Sequence, residues 1–372
     1  MEKHQFKILS IDGGGIRGII PCTILAFIED QIGTLSNTFD LMAGTSTGGI
    51  IALGLAMPNE QGDNAYHAND MLELYVTHGK DIFKGRKEGL VSFAGSGLDL
   101  VGSALKPVGN VLHPGLGDAL KGATTGVKTA TQNPYDERNI ENIMREKFGN
   151  TRLKECLTAV LATTYEITKE KAFYFLSRLA REKEAENLEL WEIARSTSAA
   201  PTYFTPSIVK WQTELEVFVD GGVFANNPSV LAYGEAKELW KRKGQLAFEP
   251  DVLPNDNDLP FFMLSLGTGH CPQYISSLDA LKFNTAQWIQ PLLTNVFMNS
   301  VASSTHFTMQ HLLPKYTDGM PRYERLEFEI PEKNKEMDDA SDENIEQLQE
   351  LAQDYIKANK KKIMNICEYL SA

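Results

Sequence analysis

The chain has 372 residues and a mass of 41.4 kDa, room for two domains or for one large α/β domain. With 42% hydrophobic and 23% charged residues it is neither disordered nor fibrous, and it carries enough apolar material for a sizeable core. A formal net charge of −13 excludes a protein that coats nucleic acid through a basic surface and argues against passive adhesion to anionic lipid.

In chain order, residues 6–11 form a short apolar run bounded by glycine, the pattern of a buried strand. A glycine cluster follows, and then an amphipathic helix over 21–32. A second apolar run at 39–43 leads into Gly44-Thr45-Ser46-Thr47-Gly48-Gly49 and an apolar helix that ends near Met57. Strand, glycine turn and helix, repeated twice in this way, predict a parallel α/β sheet. Residues 85–132 are glycine-rich and poor in acids. They read as an insertion, either a surface excursion or a lid beside the active site. Helices are then expected at 138–148, 190–198 and 228–241, and strands at 157–165, 172–177, 216–219 and 261–266. Residues 249–260 read as an acidic loop. The catalytic domain is expected to span 1–330. Beyond it, 331–372 reads as an acidic linker and a helix that packs back through Ile345, Leu348, Ala352, Tyr355, Ile356, Ile363, Ile366 and Leu370.

Targeting and redox signals are few. The polar first residues enter a strand directly, so no signal peptide is expected, and no apolar run is long enough to span a bilayer. Cys22, Cys156, Cys271 and Cys367 are widely separated, which points to reduced thiols in a cytoplasmic protein rather than to disulfides or a zinc site. No cofactor or metal is expected.

Three segments carry chemistry. Gly44-Thr45-Ser46-Thr47-Gly48, between an apolar strand and an apolar helix, fits a nucleophile elbow. Such a turn is so tight that side chains two residues from the serine would clash, and glycines at 44 and 48 remove the clash. The helix that follows points its positive end at the site. A serine hydroxyl then needs a base. Among the seven histidines His270 is the best placed, after Gly267-Thr268-Gly269 at a strand end. Asp220 offers another base: it ends a strand, precedes two glycines, and would gain basicity from partial burial. Finally, Asp12-Gly13-Gly14-Gly15-Ile16-Arg17-Gly18 follows a strand. Its successive glycines can turn N–H groups toward one anion, such as the oxyanion of ester attack, with Arg17 adding positive charge. The same stretch matches G-x-G-x-x-G, but the acid that a dinucleotide site wants at the end of the second strand is absent, Asp40 lying at the wrong end.

These segments, with Asn226-Asn227-Pro228, residues 194–201 and Ser265-Leu266-Gly267-Thr268-Gly269, resemble in order the patatin-like phospholipase family over roughly 6–270. The resemblance implies a three-layer α/β/α fold with a central, mostly parallel sheet. It implies a Ser46–Asp220 dyad, with the amides of Gly13, Gly14 and Gly15 as oxyanion hole and Arg17, Gly44 and Gly48 in support. It further implies hydrolysis of acyl esters of phospholipids or other lipids at a membrane surface touched peripherally. Some bacterial relatives are effectors that a cyclic nucleotide switches on against the cell's own membrane. A cyclic nucleotide activator, a role in antiviral defence and oligomer formation are therefore carried as expectations. Two alternatives stay open: a Ser46–His270 esterase, and a nucleotide-sensing or phosphate-binding module without catalysis.

Overall fold

The computed structural model describes residues 5–85, 134–211, 214–242, 259–272, 276–277, 281–282, 298–316 and 319–371. The expected insertion at 85–132, apart from Gly85, and most of the acidic loop at 249–260 lie outside the described residues.

The first half of the chain builds the centre of the sheet. Strand β1 (Phe6–Ile11) is apolar on both faces, as a strand between two helical layers must be, and β2 (Leu41–Thr45) is fully buried. Helix α1 (Ile19–Ile32) lies between them in sequence, with the short α2 (Leu35–Thr38) after it. Helix α3 (Thr47–Ala56) has all ten residues buried, so it is apolar all round and has no solvent face. Helix α4 (Ala68–Ile82) and helix α5 (Glu137–Phe148) are amphipathic and complete this layer. Strand β3 (Ala159–Glu166), strand β4 (Lys171–Leu176), the short α6 (Ser177–Glu182) and α7 (Leu190–Thr197) follow. Next come β5 (Ser207–Trp211), β6 (Glu214–Asp220), the one-turn α8 (Gly222–Ala225) and α9 (Ser229–Arg242). The chain closes with β7 (Phe261–Leu266), α10 (Met298–Leu312), β8 (Tyr323–Leu326), α11 (Asp342–Ala358) and α12 (Lys360–Ser371).

The sheet runs β5-β6-β3-β2-β1-β7-β8, with β4 paired to β3. β3, β2, β1, β7 and β8 are parallel, and β4, β5 and β6 add an antiparallel margin. One face is covered by α1, α3, α4, α5, α7, α11 and α12 around Leu9, Ile11 and Leu264. The other is covered by α9 and α10 around Ile8, Leu41 and Phe261. This is a three-layer α/β/α fold with a mostly parallel sheet.

The tail is two helices rather than one, separated at Asn359, whose side chain caps the Tyr355 carbonyl at 3.0 Å. Ile345, Leu348, Ala352, Ile356, Ile363, Ile366 and Leu370 are buried in the larger core, and Tyr355 stacks on Phe328 with centroids 4.6 Å apart.

Candidate active site

The register of β3 brings the two expected catalytic groups together. Residues Ala159 to Thr163 pair with β2, so that Thr45 lies opposite Thr163. The next residue, Thr164, lies opposite Asp220 of β6. β4 occupies the other edge of β3 over the same stretch, so β6 must take up the edge that β2 leaves. The chain departs from the sheet at Ser46, just where Asp220 arrives. Thr45 locks the junction, its hydroxyl 2.8 Å from that of Thr163 and donating to the Ala225 carbonyl at 2.7 Å.

Ser46 has φ 55°, a conformation that a non-glycine residue adopts only when its surroundings hold it there. The supports are visible. The Ser46 amide donates to Thr197 Oγ1 at 3.0 Å, and Thr197 itself donates to the Thr163 carbonyl at 2.6 Å. A Cβ on Gly44 would overlap the Gly48 backbone, and one on Gly48 would overlap the carbonyls of Ile11 and Asp12. The strand-to-helix turn therefore closes only with glycine at both positions.

The Ser46 side chain lies beside the Asp220 carboxylate, on the same cavity wall, and favours its ionised form. Asp220 is buried, and its Oδ1 accepts the Gly222 amide at 2.7 Å. Burial pushes the carboxyl up to about 6, against the pull of the Ser46 side chain and the Gly222 amide. It is thus ionised at neutral pH and yet far more basic than a carboxylate in water. His270 is half-exposed, with Nε2 3.8 Å from Glu329 and no place in the cavity wall. No histidine lines that cavity among the described residues. His4 and His113 lie outside the described residues.

Ser46 and Asp220 open into a cavity of about 190 Å³ whose apolar wall includes Ile50, Ile82, Phe83, Ile140 and Phe204. Such a slot excludes water and suits a hydrocarbon chain. Gly14 and Gly15 lie on the same wall. The Gly13 amide does not face it. It donates to the Asn226 carbonyl at 3.1 Å, and the Ile16 amide donates to the Met337 carbonyl at 2.8 Å. Of the three glycines expected to form an oxyanion hole, Gly14 and Gly15 line the cavity. This loop also differs from a dinucleotide cradle, since its outer N–H groups are spent on the protein's own carbonyls.

Arg17 is not among the residues that line the cavity, although its charge acts on Tyr203, which does. Burial lowers the Arg17 pKa from the ordinary value, and Nη1 reaches only the Lys335 carbonyl, at 3.5 Å. The charge that holds the loop is Arg325, which the sequence reading passed over. Its Nη2 lies 2.6 Å and its Nη1 3.2 Å from the Asp12 carboxylate, and Glu327 is its second partner. Burial works against that guanidinium's charge, but Asp12 and Glu327 outweigh it and hold its pKa above the ordinary value. Met337, another residue the reading missed, lines the cavity from a segment that leads into α11. Neither lies in a motif. Thr197, in contrast, sits within the 194–201 stretch noted above. Among the described residues no cluster of His, Cys, Asp or Glu is arranged to hold a metal.

Comparison with known proteins places the chain in a class. A family described as "Patatin-like phospholipase" matches residues 9–233. "Patatin-like protein 2" of Oryza sativa subsp. indica is 32% identical over 298 residues, 76% of this chain and 65% of that protein, so the matched region spans just under two thirds of that relative. "Patatin-17" of Solanum cardiophyllum is 30% identical over 372 aligned residues, covering 95% of this chain and 84% of that protein. "Probable inactive patatin-3-Kuras 1" of Solanum tuberosum is 30% identical, covering 81% and 72%. The chain belongs to the patatin-like phospholipase family.

Proposed function

We propose that this protein is a serine hydrolase of lipid acyl esters, with Ser46 as nucleophile and Asp220 as the base. One observation carries the reading: a serine held at φ 55° and a buried carboxylate share the wall of one apolar cavity. In the first half-reaction Asp220 takes the hydroxyl proton as Ser46 Oγ bonds to the ester carbonyl carbon. Charge builds on the carbonyl oxygen, within reach of the Gly14 and Gly15 amides. Asp220 then gives its proton to the departing alcohol oxygen, leaving an acyl-serine. In the second half-reaction Asp220 takes a proton from water, the hydroxide attacks the acyl carbon, and the proton returns to Ser46 as the fatty acid leaves. The apolar wall holds the acyl chain, and no metal or cofactor enters these steps.

In this reading the substrate is met from the water side of a membrane; no helix among the described residues is long and apolar enough to cross one. A cytoplasmic chain in transient contact with its membrane is the setting this reading favours, and a cyclic nucleotide is its candidate activator.

The test is hydrolysis of a short-chain fluorogenic ester and of phospholipid vesicles by wild type, Ser46→Ala and Asp220→Ala, with circular dichroism to confirm folding. Each variant is expected to lose activity by about a thousandfold or more. Near-wild-type turnover in Asp220→Ala would sink the dyad. Wild-type silence toward both substrates, persisting when cyclic nucleotides are added, would reject the hydrolase. That comparison matters because one relative carries "inactive" in its name.

A further inference from the structure

The β5–β6 hairpin stands at the margin of the sheet, and one of its faces is apolar and bare. Ile208 pairs with Val217 and Lys210 with Leu215, so alternation sets these four side chains on one side. Ile208 is 67% exposed and Leu215 68%. Ile167, whose amide donates to the Val217 carbonyl at 2.9 Å, is 47% exposed. The opposite face of the hairpin is already covered, with Trp211 and Phe218 packed on Phe173. A strand with one buried face ordinarily shows polar residues on the other. Here isoleucine and leucine stand in water.

This surface leads to the active site. Tyr165 pairs with Val219, on the same side as Val217, and its ring lies 6.2 Å from that of Phe224. The next residue toward Asp220, Val223, is 42% exposed and forms part of the wall of the cavity that holds Ser46. The half-buried rings of Tyr165 and Phe224 therefore link the exposed Ile167, Ile208 and Leu215 to the exposed Val223 at the cavity wall.

We propose that this face docks on a zwitterionic phospholipid bilayer and so delivers the cavity to its substrate. Exposed apolar side chains grouped in this way mark an interaction site. Two features select a lipid surface as the occupant. The patch joins an apolar cavity sized for a hydrocarbon chain, and its paired residues include one cation, Lys210, whose stem can lie along the patch while its head reaches phosphate. The net charge of −13 selects neutral over anionic headgroups. The proposal rests on the lipid-ester reading for its purpose, and the experiment separates the two.

Ser46→Ala protein, which would leave the lipid intact, is floated with phosphatidylcholine vesicles. The same chain carrying Ile208→Glu and Leu215→Glu is expected to bind about tenfold less, and Ile208→Leu with Leu215→Ile to bind as before. With Ser46 restored, the glutamate pair is expected to hydrolyse a soluble short-chain ester within about twofold of wild type and vesicle lipid about tenfold more slowly. If the double variant misfolds, Leu215→Ser alone is read, with about a threefold loss expected. Undiminished flotation, absent flotation of the parent, or stronger binding once phosphatidylserine is added overturns the proposal. So does a dimer, seen by light scattering, that the glutamate pair dissociates, because a second copy would then own this edge. Flotation that falls as expected in a chain inert toward every ester would leave the docking surface standing and remove the hydrolase reading.

Discussion

Around Ser46 the chain turns twice on glycine, at 44–48 and at 13–15, and the two turns are held in different ways. The elbow at 44–48 is held by contacts that all lie within residues 9–233. Gly44 and Gly48 lie against each other and against the end of β1, and Thr197 holds the serine amide. The loop at 13–15 is clamped from far along the chain. Arg325 grips Asp12, Thr268 Oγ1 donates to the Gly13 carbonyl at 2.8 Å, Asn226 takes the Gly13 amide, and Met337 takes the Ile16 amide. Three of those four clamps lie beyond residues 9–233, the part that the family match covers. Ser46 is thus held by residues within the matched region, and Gly14 and Gly15 largely by the closing third of the fold.

The largest test of that contrast is Arg325→Met. It leaves Asp12 and Glu327 without their buried cation and is expected to cost about 3–5 kcal/mol in denaturant unfolding. In protein that remains folded, Ser46 should still be phosphonylated by a fluorophosphonate, while ester turnover falls. Loss of both together would mean that the elbow depends on the clamp too.

The next effect is on the elbow's partner. Because burial raises Asp220 to about 6, the folded chain keeps a proton that the unfolded chain has released as pH climbs from about 4 to about 6. Stability is therefore expected to fall through that window and level off above it, whereas hydrolysis rises and levels off. Asp220→Asn removes the buried charge. It should raise stability above pH 6 by up to about 3 kcal/mol while abolishing activity, as thermal melts at pH 5 and pH 8 would reveal. An unchanged difference between those two melts would contradict the assignment.

Gly48→Ala probes the elbow directly. The added methyl meets backbone carbonyls that cannot swing aside, so a cost of about 1–3 kcal/mol is expected, with turnover reduced more than substrate affinity. Equal wild-type kinetics would show that the turn has slack. The smallest effect is expected of Met337→Ala, which shortens a half-buried side chain on the cavity wall while leaving its carbonyl on Ile16. Stability should change by about 1 kcal/mol or less, and preference among esters should move toward longer acyl chains. A chain-length series that does not move would take Met337 out of the acyl pocket.

Much of this was legible in the sequence. The apolar runs that became β1, β2 and β7 carry their own burial signal, and the fully apolar helix after Ser46 announces an interior element. Ser46 and Asp220 could be singled out because glycine beside a strand end is a local steric requirement, readable without knowing what lies across the fold. The particular residues lost to reading are those whose environment comes from elsewhere. β5 exposes Ile208 and buries Ser207, the reverse of what composition suggests. β8, as Tyr-Glu-Arg-Leu, looks like surface, yet Arg325 is buried because Asp12 and Glu327 meet it there. A buried charge is tolerable only with its partner, and the partner's position is not written near it. The Gly13 amide illustrates the same limit, since its commitment to Asn226 depends on where α8 and the turn after it are packed. Local sterics and apolar periodicity wrote the strands, the elbow and the identity of its serine into the sequence. The register of β3, which sets Ser46 beside Asp220, and the clamp of Arg325 on Asp12 exist only after folding, because each is a contact between segments that the chain itself keeps far apart.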